Sequence, residues 1–323
     1  MRETTAAAIA DAAVAGPAHR RDDPMQAFLR GAYEVGRKEV TQHLRTKRLL
    51  IIGILFVISL VFVTIVLPLL IENSTGERFY DEEAAEAPAN QVFGIYLGAG
   101  GIGFLGGVFF IQLLAITLTA DAVTSEWSHR TIFLLLSKPV TRSAFVLGKF
   151  LGSFVTVAVT FVSLFILDYL ALLAVFPGAP SGADLGAFAS ALGILVLGAA
   201  AYSGMALFLS TVTKSSVVAF ILALALWVLV FPLLTLPGQL IFMADFNDAG
   251  PEEVDPTDMK YEFWSYLDPG SSMRVAPKNM LSEDAFGFGP SVSRASGAVL
   301  ALLVHAGVYV TAAFFVVQRR NFE

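Results

Sequence analysis

Long apolar runs alternate with short polar segments along this chain. Six runs reach the roughly 20 residues that a helix needs to cross the hydrocarbon core of a bilayer. They occupy positions 49–71, 92–120, 150–176, 185–213, 215–244 and 295–318. Five contain no Asp, Glu, Lys or Arg, and the third contains only Asp168. Because lipid offers no partner to free backbone groups, and the runs lack the alternation of barrel strands, each is predicted to be a transmembrane helix.

The residues before the first run divide into two parts. Positions 1–24 are rich in Ala, mixed in charge and without an apolar signal core, which predicts a disordered cytoplasmic tail rather than a cleaved signal. Positions 25–48 carry apolar residues at helical spacing, with basic residues near the opposite side. This pattern predicts an amphipathic interfacial helix on the inner leaflet. A basic flank that only sets topology is the alternative, and the sequence leaves both open.

Composition supports an all-α integral membrane protein. The chain has 323 residues, of which 56% are hydrophobic and 15% charged, and its mean hydropathy is +0.70, far from the make-up of a soluble domain. It contains no Cys, which excludes disulfides, thiolate metal sites and thiol nucleophiles. No phosphate-binding loop motif and no paired catalytic residues are found. The chain is therefore predicted to be non-catalytic, with no metal site and no cofactor of its own.

The distribution of basic residues predicts the orientation. With a cytoplasmic N-terminus, sixteen of the 21 Lys and Arg residues fall on the cytoplasmic side, as the positive-inside rule requires. An even number of spans likewise places both termini in the cytoplasm of a multi-pass plasma-membrane protein. Segment 245–294 is then external. Its ten carboxylates either form a solvated face or bind cations, and its aromatic cluster predicts short helices in a folded cap.

Two ionisable residues lie inside predicted spans. A charge at the depth of Asp168 costs a few kcal/mol unless it faces water or a partner, so Asp168 marks either an interior cavity or a protonated carboxyl near the interface. His305 lies near the middle of the last run. It is either hydrogen-bonded to a neighbouring helix or part of a proton relay. Both residues are candidates for a transport pathway.

The polar segment 121–149 is the most informative part of the sequence. Its order closely resembles the signature of the ABC type-2 exporter permease family: an acidic residue ending the second span, a following Glu, an apolar run that closes on Ser-x-Pro, then Thr-Arg and Gly-Lys. The matching positions are Asp121, Glu126, Thr131, Leu135, Leu136, Ser137, Pro139, Thr141, Arg142, Gly148 and Lys149. The resemblance implies that this segment is a cytoplasmic coupling helix that docks into a separate ATPase subunit.

The resemblance extends over most of the chain and assigns further residues. It implies partner docking by Glu126, Trp127, Arg130, Thr131, Pro139 and Arg142, and an interfacial helix carrying Arg37, Lys38 and Glu39. Glu126 is expected on the exposed side of the coupling helix. Alternatively, Glu126 and Arg142 pair with each other or with nearby backbone. Arg130 stands where the family usually has Gly, so the docking contacts depart from the family pattern.

The resemblance also implies partners. Two copies of an ATPase subunit would supply ATP and Mg, and a second permease copy would complete the pathway as a homodimer. Among relatives, the pattern is most similar to the permeases of nitrous-oxide-reductase maturation, which are associated with copper supply. The alternative function is a stand-alone secondary transporter. That class needs discontinuous helices and several midplane ionisable residues, whereas only Asp168 and His305 ionise within the spans.

Overall fold

The described part of the chain is almost entirely helical and contains no strand. In this computed structural model, the structure describes residues 23–66, 69–70, 73, 107–128, 141–175, 182–249, 254–255, 257–278, 292 and 294–319. In chain order the helices are α1 (Pro24–Leu44), α2 (Lys47–Val61), α3 (Gly107–Thr119), α4 (Thr124–Ser128), α5 (Arg142–Val175), α6 (Gly182–Val212), α7 (Ser216–Ala225), α8 (Phe231–Ala249), α9 (Met259–Ser265), α10 (Pro269–Met273), α11 (Val275–Lys278) and α12 (Ala295–Arg319). The predicted tail 1–24 lies almost entirely outside these ranges.

Five helical stretches are long and apolar enough to cross a membrane. They are Gly107–Trp127, Arg142–Ala174, Asp184–Val212, Ser216–Asp248 and Ala295–Arg319. The chain is thus an all-α, multi-pass membrane protein. For the predicted first span, the structure describes α2 and a π-helical turn, Phe62–Val66, and most of the remainder lies outside the described residues. The sixth crossing therefore stays a prediction.

Two Asp-Pro pairs stand at the starts of helices, and each is visible in the sequence. The Asp23 carboxylate accepts a hydrogen bond from the Met25 backbone N–H at 3.4 Å, and Pro24 is the first residue of α1. Asp268 accepts from the backbone N–H groups of Gly270 at 2.8 Å and Ser271 at 3.0 Å, at the start of α10. An Asp cap followed by Pro satisfies N-terminal donors and presets the helical φ.

The boundaries of two predicted elements are corrected. The interfacial helix expected over 25–48 ends at Leu44, and α2 begins at Lys47, so a short break at positions 45–46 separates it from the next helix. The third span was predicted to begin at position 150, but α5 begins at Arg142. The polar residues before position 150 continue the helix because tertiary partners satisfy them, as shown below.

The core of the bundle runs between α3, α5, α6 and α12. Ile111, Phe165, Tyr202 and Leu302 are among its buried members. A second, smaller apolar cluster lies at the end of the bundle where α5 begins and α12 ends; it includes Val35, Val123, Phe145 and Val317. We call this end the charged end, for the ion pairs described below. The opposite end, where α8 stops and α12 begins, is the loop end.

Short helices follow α8, as the aromatic cluster predicted. Helices α9, α10 and α11 occupy residues 259–278, which we call the inserted segment. It reaches further than a surface cap: a Cβ added to Gly270 would lie 3.1 Å from the Tyr202 hydroxyl, and Tyr202 lies about two thirds of the way along α6 from the loop end. The inserted segment therefore packs inside the bundle. Its location outside the cell stays a prediction.

Candidate functional site: a buried charged junction

Three ionised side chains from three different elements meet at the charged end. The Lys149 ammonium group in α5 donates to Glu39 Oε2 of α1 at 2.5 Å and to Glu126 Oε1 of α4 at 3.1 Å. All three residues are buried, Lys149 with 1% and Glu126 with 4% of its surface exposed. Lys38, about half exposed, donates to the same Glu126 oxygen at 2.8 Å. We call Glu39, Glu126 and Lys149 the charged junction.

The junction is held by electrostatics that outweigh the cost of burial. Burial by itself acts to raise the pKa of Glu39, but the positive charge of Lys149 and the contact with His43 lower it below its ordinary value. His43 Nε2 lies 3.3 Å from Glu39 Oε1 and 3.2 Å from Ser153 Oγ of α5. Buried charges of this kind are kept only where opposite charges and hydrogen bonds compensate them. Glu39 is therefore an ionised, fixed component at neutral pH.

Glycines allow α1 and α5 to approach closely enough for these contacts. A Cβ added to Gly148 would lie 2.5 Å from the Ala32 carbonyl oxygen, and one added to Gly152 would lie 2.6 Å from Glu39 Cβ. On the other helix, a Cβ on Gly36 would lie 3.2 Å from the Gly148 carbonyl oxygen. Small residues that let two helix backbones approach are a typical packing device within membranes. The glycine seam, Gly36, Gly148 and Gly152, fixes α1 along the first half of α5.

The segment that carries Glu126 is tied to other helices as well. The Ser210 hydroxyl of α6 accepts from the backbone N–H groups of Val123 at 3.0 Å and Thr124 at 3.2 Å. The Thr124 and Ser216 hydroxyls lie 2.8 Å apart, which joins α4 to the start of α7. These three hydrogen bonds are buried or partly buried, and they connect α4 and the residue before it to α6 and α7. A displacement of α4 is transmitted to α1, α5 and α6.

The predicted docking residues that the structure describes lie in different environments. Glu126 is buried and paired within the chain, so its expected place on the exposed side is wrong. The reason is tertiary: α1 supplies Lys38, which no local pattern places beside it. Arg142 donates to the Gln318 carbonyl oxygen of α12 at 3.0 Å, and Trp127 packs partly buried against the apolar cluster. Arg130, Thr131 and Pro139 lie outside the described residues.

The predicted interfacial triplet is split between two environments. Lys38 and Glu39 join the junction, as above, whereas Arg37 lines an open groove on the exposed side of α1. Near the start of α2, Arg48 is paired with Asp121. The acidic residue predicted to end the second span is therefore bound to the first helix after α1. Residues on either side of the break between α1 and α2 are therefore paired with segment 121–128: Lys38 with Glu126, and Arg48 with Asp121.

Asp168 is buried inside the bundle. Only 2% of its surface is exposed, and its Oδ2 atom has no hydrogen-bond partner. The next residue, Tyr169, stacks on Phe188 with ring centroids 4.2 Å apart. A buried carboxyl without a partner for one oxygen is costly, so Asp168 stays a candidate for the pathway.

His305 has backbone carbonyl oxygens close to both ring nitrogens. Its Nδ1 lies 2.8 Å from the Ala301 carbonyl oxygen, one turn earlier in α12. Its Nε2 lies 3.4 Å from the Leu267 carbonyl oxygen, just before α10. Of the two alternatives left by the sequence, this geometry matches the hydrogen-bonded one. His305 links α12 to the inserted segment.

The buried part of the inserted segment is held by neutral contacts, whereas at its exposed start Lys260 pairs with Asp245 of α8 at 2.9 Å. The Met273 side chain fills the space beside Gly198 of α6 and is fully buried. The Gln112 amide donates to the Tyr202 hydroxyl at 3.2 Å and lies 3.8 Å from Met273 Sδ. Within the described ranges, no group of three or more His, Asp or Glu side chains is arranged to hold a metal ion.

Sequence reasoning missed the central role of Lys149 and the participation of His43. Lys149 was recognised only as part of a Gly-Lys pair at the start of a span. The usable signal was its spacing: a lysine flanked by Gly148 and Gly152 on one helix, opposite Gly36 and Glu39 on another. Small residues four apart predict a close helix contact, but the identity of the facing helix is not encoded locally.

Comparison with known proteins identifies the family. The family model described as "ABC-2 family transporter protein" matches residues 33–321, which is nearly the whole chain, and the chain therefore belongs to that family. The chain is also similar to a protein of Pseudomonas aeruginosa named "Probable ABC transporter permease protein NosY". The two are 34% identical over 119 residues, which cover 37% of this chain and 43% of that protein. The resemblance stated from the sequence is confirmed.

Proposed function

We propose that this ABC-2 family member is the permease subunit of an ATP-driven exporter. Two copies of a separate ATPase subunit bind and hydrolyse ATP with Mg, and a second copy of this chain completes the pathway as a homodimer. Three observations support this: the family match, five helices able to cross a membrane, and the lack of a phosphate-binding loop in the sequence. ATPase activity must then come from a partner.

The charged junction is the observation that carries the mechanism. Lys149 joins the interfacial helix α1 and the segment 121–128 to the start of α5. A partner that moves segment 121–149 on binding ATP therefore moves α1 and α5 with it, as one body. Rigid-body displacement of packed elements is an established way to convert a local change into an inward-to-outward rearrangement.

The docking surface is reassigned in this proposal. Because Glu126 faces α1 and α5, it transmits movement rather than contacting the ATPase. Residues 129–140, which include Arg130, Thr131 and Pro139, carry the contact, and Arg142 positions the start of α5 through α12. The transport pathway runs past Asp168, and His305 holds the inserted segment beside it. The association with copper supply stays a prediction from the sequence resemblance.

The absence of Cys makes a direct docking test possible. Single-cysteine variants of the full chain can carry a photo-cross-linker at Thr131→Cys, with Asp255→Cys as the control at the loop end. We expect the chain, purified from its own membranes, to bring with it a protein that hydrolyses ATP. The Thr131 cross-linker should capture that protein, and the Asp255 cross-linker should not. Purification without any ATP-hydrolysing protein, or equal capture from both positions, would contradict the proposal.

The predicted topology is tested with single-cysteine variants of the same chain, which has no native Cys. A Cys at Lys214 should react with a membrane-impermeant maleimide only when the cytoplasmic face is open, and a Cys at Pro256 should react in intact cells. These outcomes follow from the positive-inside distribution. Labelling of the Pro256 variant only after the membrane is opened would place the inserted segment in the cytoplasm and overturn the exporter orientation.

A further inference from the structure

The exposed side of α1 is divided into two stripes. Its packed side uses Gly31, Ala32, Val35, Glu39 and His43 against α5. One exposed stripe is apolar: Leu29, Tyr33 and Leu44 each expose more than half of their surface. The other is cationic. A helix with adjacent apolar and basic stripes is suited to the boundary between headgroups and acyl chains.

The cationic stripe forms an open groove. Arg37, Lys38 and Arg45 line it together with the Thr41 and Thr46 side chains, and Glu34 is its only carboxylate. Within the described part of the chain, neither Arg37 nor Arg45 is ion-paired, while Lys38 is shared with Glu126. The groove has a volume of about 630 Å³. The hydroxyls of Thr41 and Thr46 donate to the carbonyl oxygens of Arg37 and His43. The groove therefore offers an anion excess positive charge from its arginine side chains.

We propose that this groove binds the phosphate of an anionic phospholipid headgroup. Arginine guanidinium groups bind phosphate oxygens in a bidentate manner. The groove ends at Thr46, and the apolar helix α2 begins at the next residue, so the groove lies at the level of the membrane surface. The neighbouring apolar stripe then faces the acyl chains. If α1 were surrounded by water, the apolar stripe would be exposed, which is unfavourable. Contact with lipid covers the stripe, and this favours a lipid over a soluble anion or a protein as the ligand of the groove.

The proposed site is coupled to the charged junction through Lys38. Its ammonium group is about half exposed and lies between the groove and the buried Glu126 carboxylate. A phosphate in the groove places a second negative charge against the same ammonium group. The charge of a bound lipid therefore acts on α1, the helix that the junction joins to α5. The binding proposal itself depends on membrane placement and not on an ATPase partner.

The test measures lipid preference of the full chain. Nanodiscs are made from phosphatidylcholine mixed with phosphatidylglycerol, and the ratio of the two lipids retained after mild detergent extraction is measured by mass spectrometry. Each exposed guanidinium group in direct contact with a bound phosphate contributes about 0.5–1 kcal/mol, in addition to the diffuse attraction that any basic residue at the surface has. Arg37→Gln with Arg45→Gln should therefore lower the enrichment of phosphatidylglycerol about fivefold to thirtyfold.

A matched control removes the same charge outside the groove. Lys47→Gln with Lys214→Gln, both exposed, should keep most of the enrichment. Arg37→Lys with Arg45→Lys keeps the charge and should retain an intermediate preference, and it shows that any loss is not a folding defect. Size-exclusion profiles of all variants should match that of the unaltered chain.

Three results would overturn the proposal. Equal enrichment in the groove and control variants would show that the surface charge acts without a site. Loss of enrichment on adding inorganic phosphate would assign the groove to a free anion. Retained enrichment together with loss of a copurifying ATP-hydrolysing protein in the groove variant would make the groove a protein-docking surface.

Discussion

The two ends of the bundle each hold an additional element, one mainly by buried ion pairs and the other mainly by buried neutral contacts. At the charged end, α1 is fixed to α5 by buried ion pairs around Lys149 and by a seam of glycines. At the loop end, the carboxylate of Asp268 accepts hydrogen bonds from the first backbone N–H groups of α10. The inserted segment meets the bundle core through Met273, Tyr202 and Gln112, and the ion pair of Lys260 with Asp245 of α8 lies at the exposed surface.

The difference shows what each contact can transmit. A buried ion pair favours one register, because moving either partner leaves a charge without compensation. Apolar and neutral contacts leave no uncompensated charge when they shift, so they restrict the position of the inserted segment less sharply than an ion pair does. The charged end is therefore suited to move as one body with an ATPase subunit. The loop end is suited to rearrange when the pathway opens.

Removing the central charge should break the charged end most severely. Lys149→Met leaves Glu39 and Glu126 buried without their cation, and we expect a loss of about 3–5 kcal/mol of stability. The midpoint of thermal unfolding in detergent measures it. The triple variant Glu39→Gln, Glu126→Gln, Lys149→Met should recover most of the loss, since no buried charge remains. Lys260→Met, an exposed lysine at the loop end, is the control; equal stability of the Lys149 and Lys260 variants would refute the junction.

Shortening the buried methionine tests the loop end. Met273→Ala should cost about 2–5 kcal/mol, because it leaves a cavity beside Gly198. This loss should not change with salt concentration, because the substitution removes no charge. Met243→Ala, at an exposed position, should change stability little. A salt-dependent effect of Met273→Ala would show that charge also contributes to holding the inserted segment.

Filling the glycine seam separates packing from charge at the charged end. In Gly152→Ala the new methyl group lies 2.6 Å from Glu39 Cβ, and we expect overpacking to cost about 1–3 kcal/mol. In Gly193→Ala nothing lies within 4 Å of the new methyl group, so helix propensity should give a gain of up to about 1 kcal/mol. A lower unfolding midpoint for Gly152→Ala and a higher one for Gly193→Ala, each relative to the unaltered chain, would confirm the seam. A stabilised Gly152→Ala variant contradicts it.

Acid should weaken the charged end. The pKa of Glu39 is lowered from its ordinary value of 4.5, so its stabilising contribution is fully present above that value and is lost as the pH falls through the lower, folded-state pKa. Comparing unfolding midpoints of the unaltered chain and Glu39→Gln at decreasing pH measures this contribution. The difference between them should be constant above the ordinary pKa of 4.5 and shrink below it. A difference that shrinks already near neutral pH would show that Glu39 is not held ionised by Lys149.

Local patterns in the sequence determined the class of protein and most of its helices. Apolar runs predicted the spans that become α6, α12 and the α7–α8 pair within a few residues, because hydrophobic length responds directly to bilayer thickness. The Asp-Pro pairs at positions 23–24 and 268–269 marked helix starts, because a cap acts on its own helix. The order of residues in 121–149 was sufficient to identify the family.

Tertiary structure alone decided the direction that individual polar side chains face. Glu126 was expected at a docking surface, and Lys149 was regarded as a flank of a span, yet both are buried in one junction with Glu39. Their partners are far apart in the chain, and a charged residue next to an apolar run reads the same whether it faces water or another helix. Only the packing of α1 against α5 supplies the opposite charge. The depth of the inserted segment was likewise fixed by Gly198 and Tyr202, which lie on a helix remote in sequence.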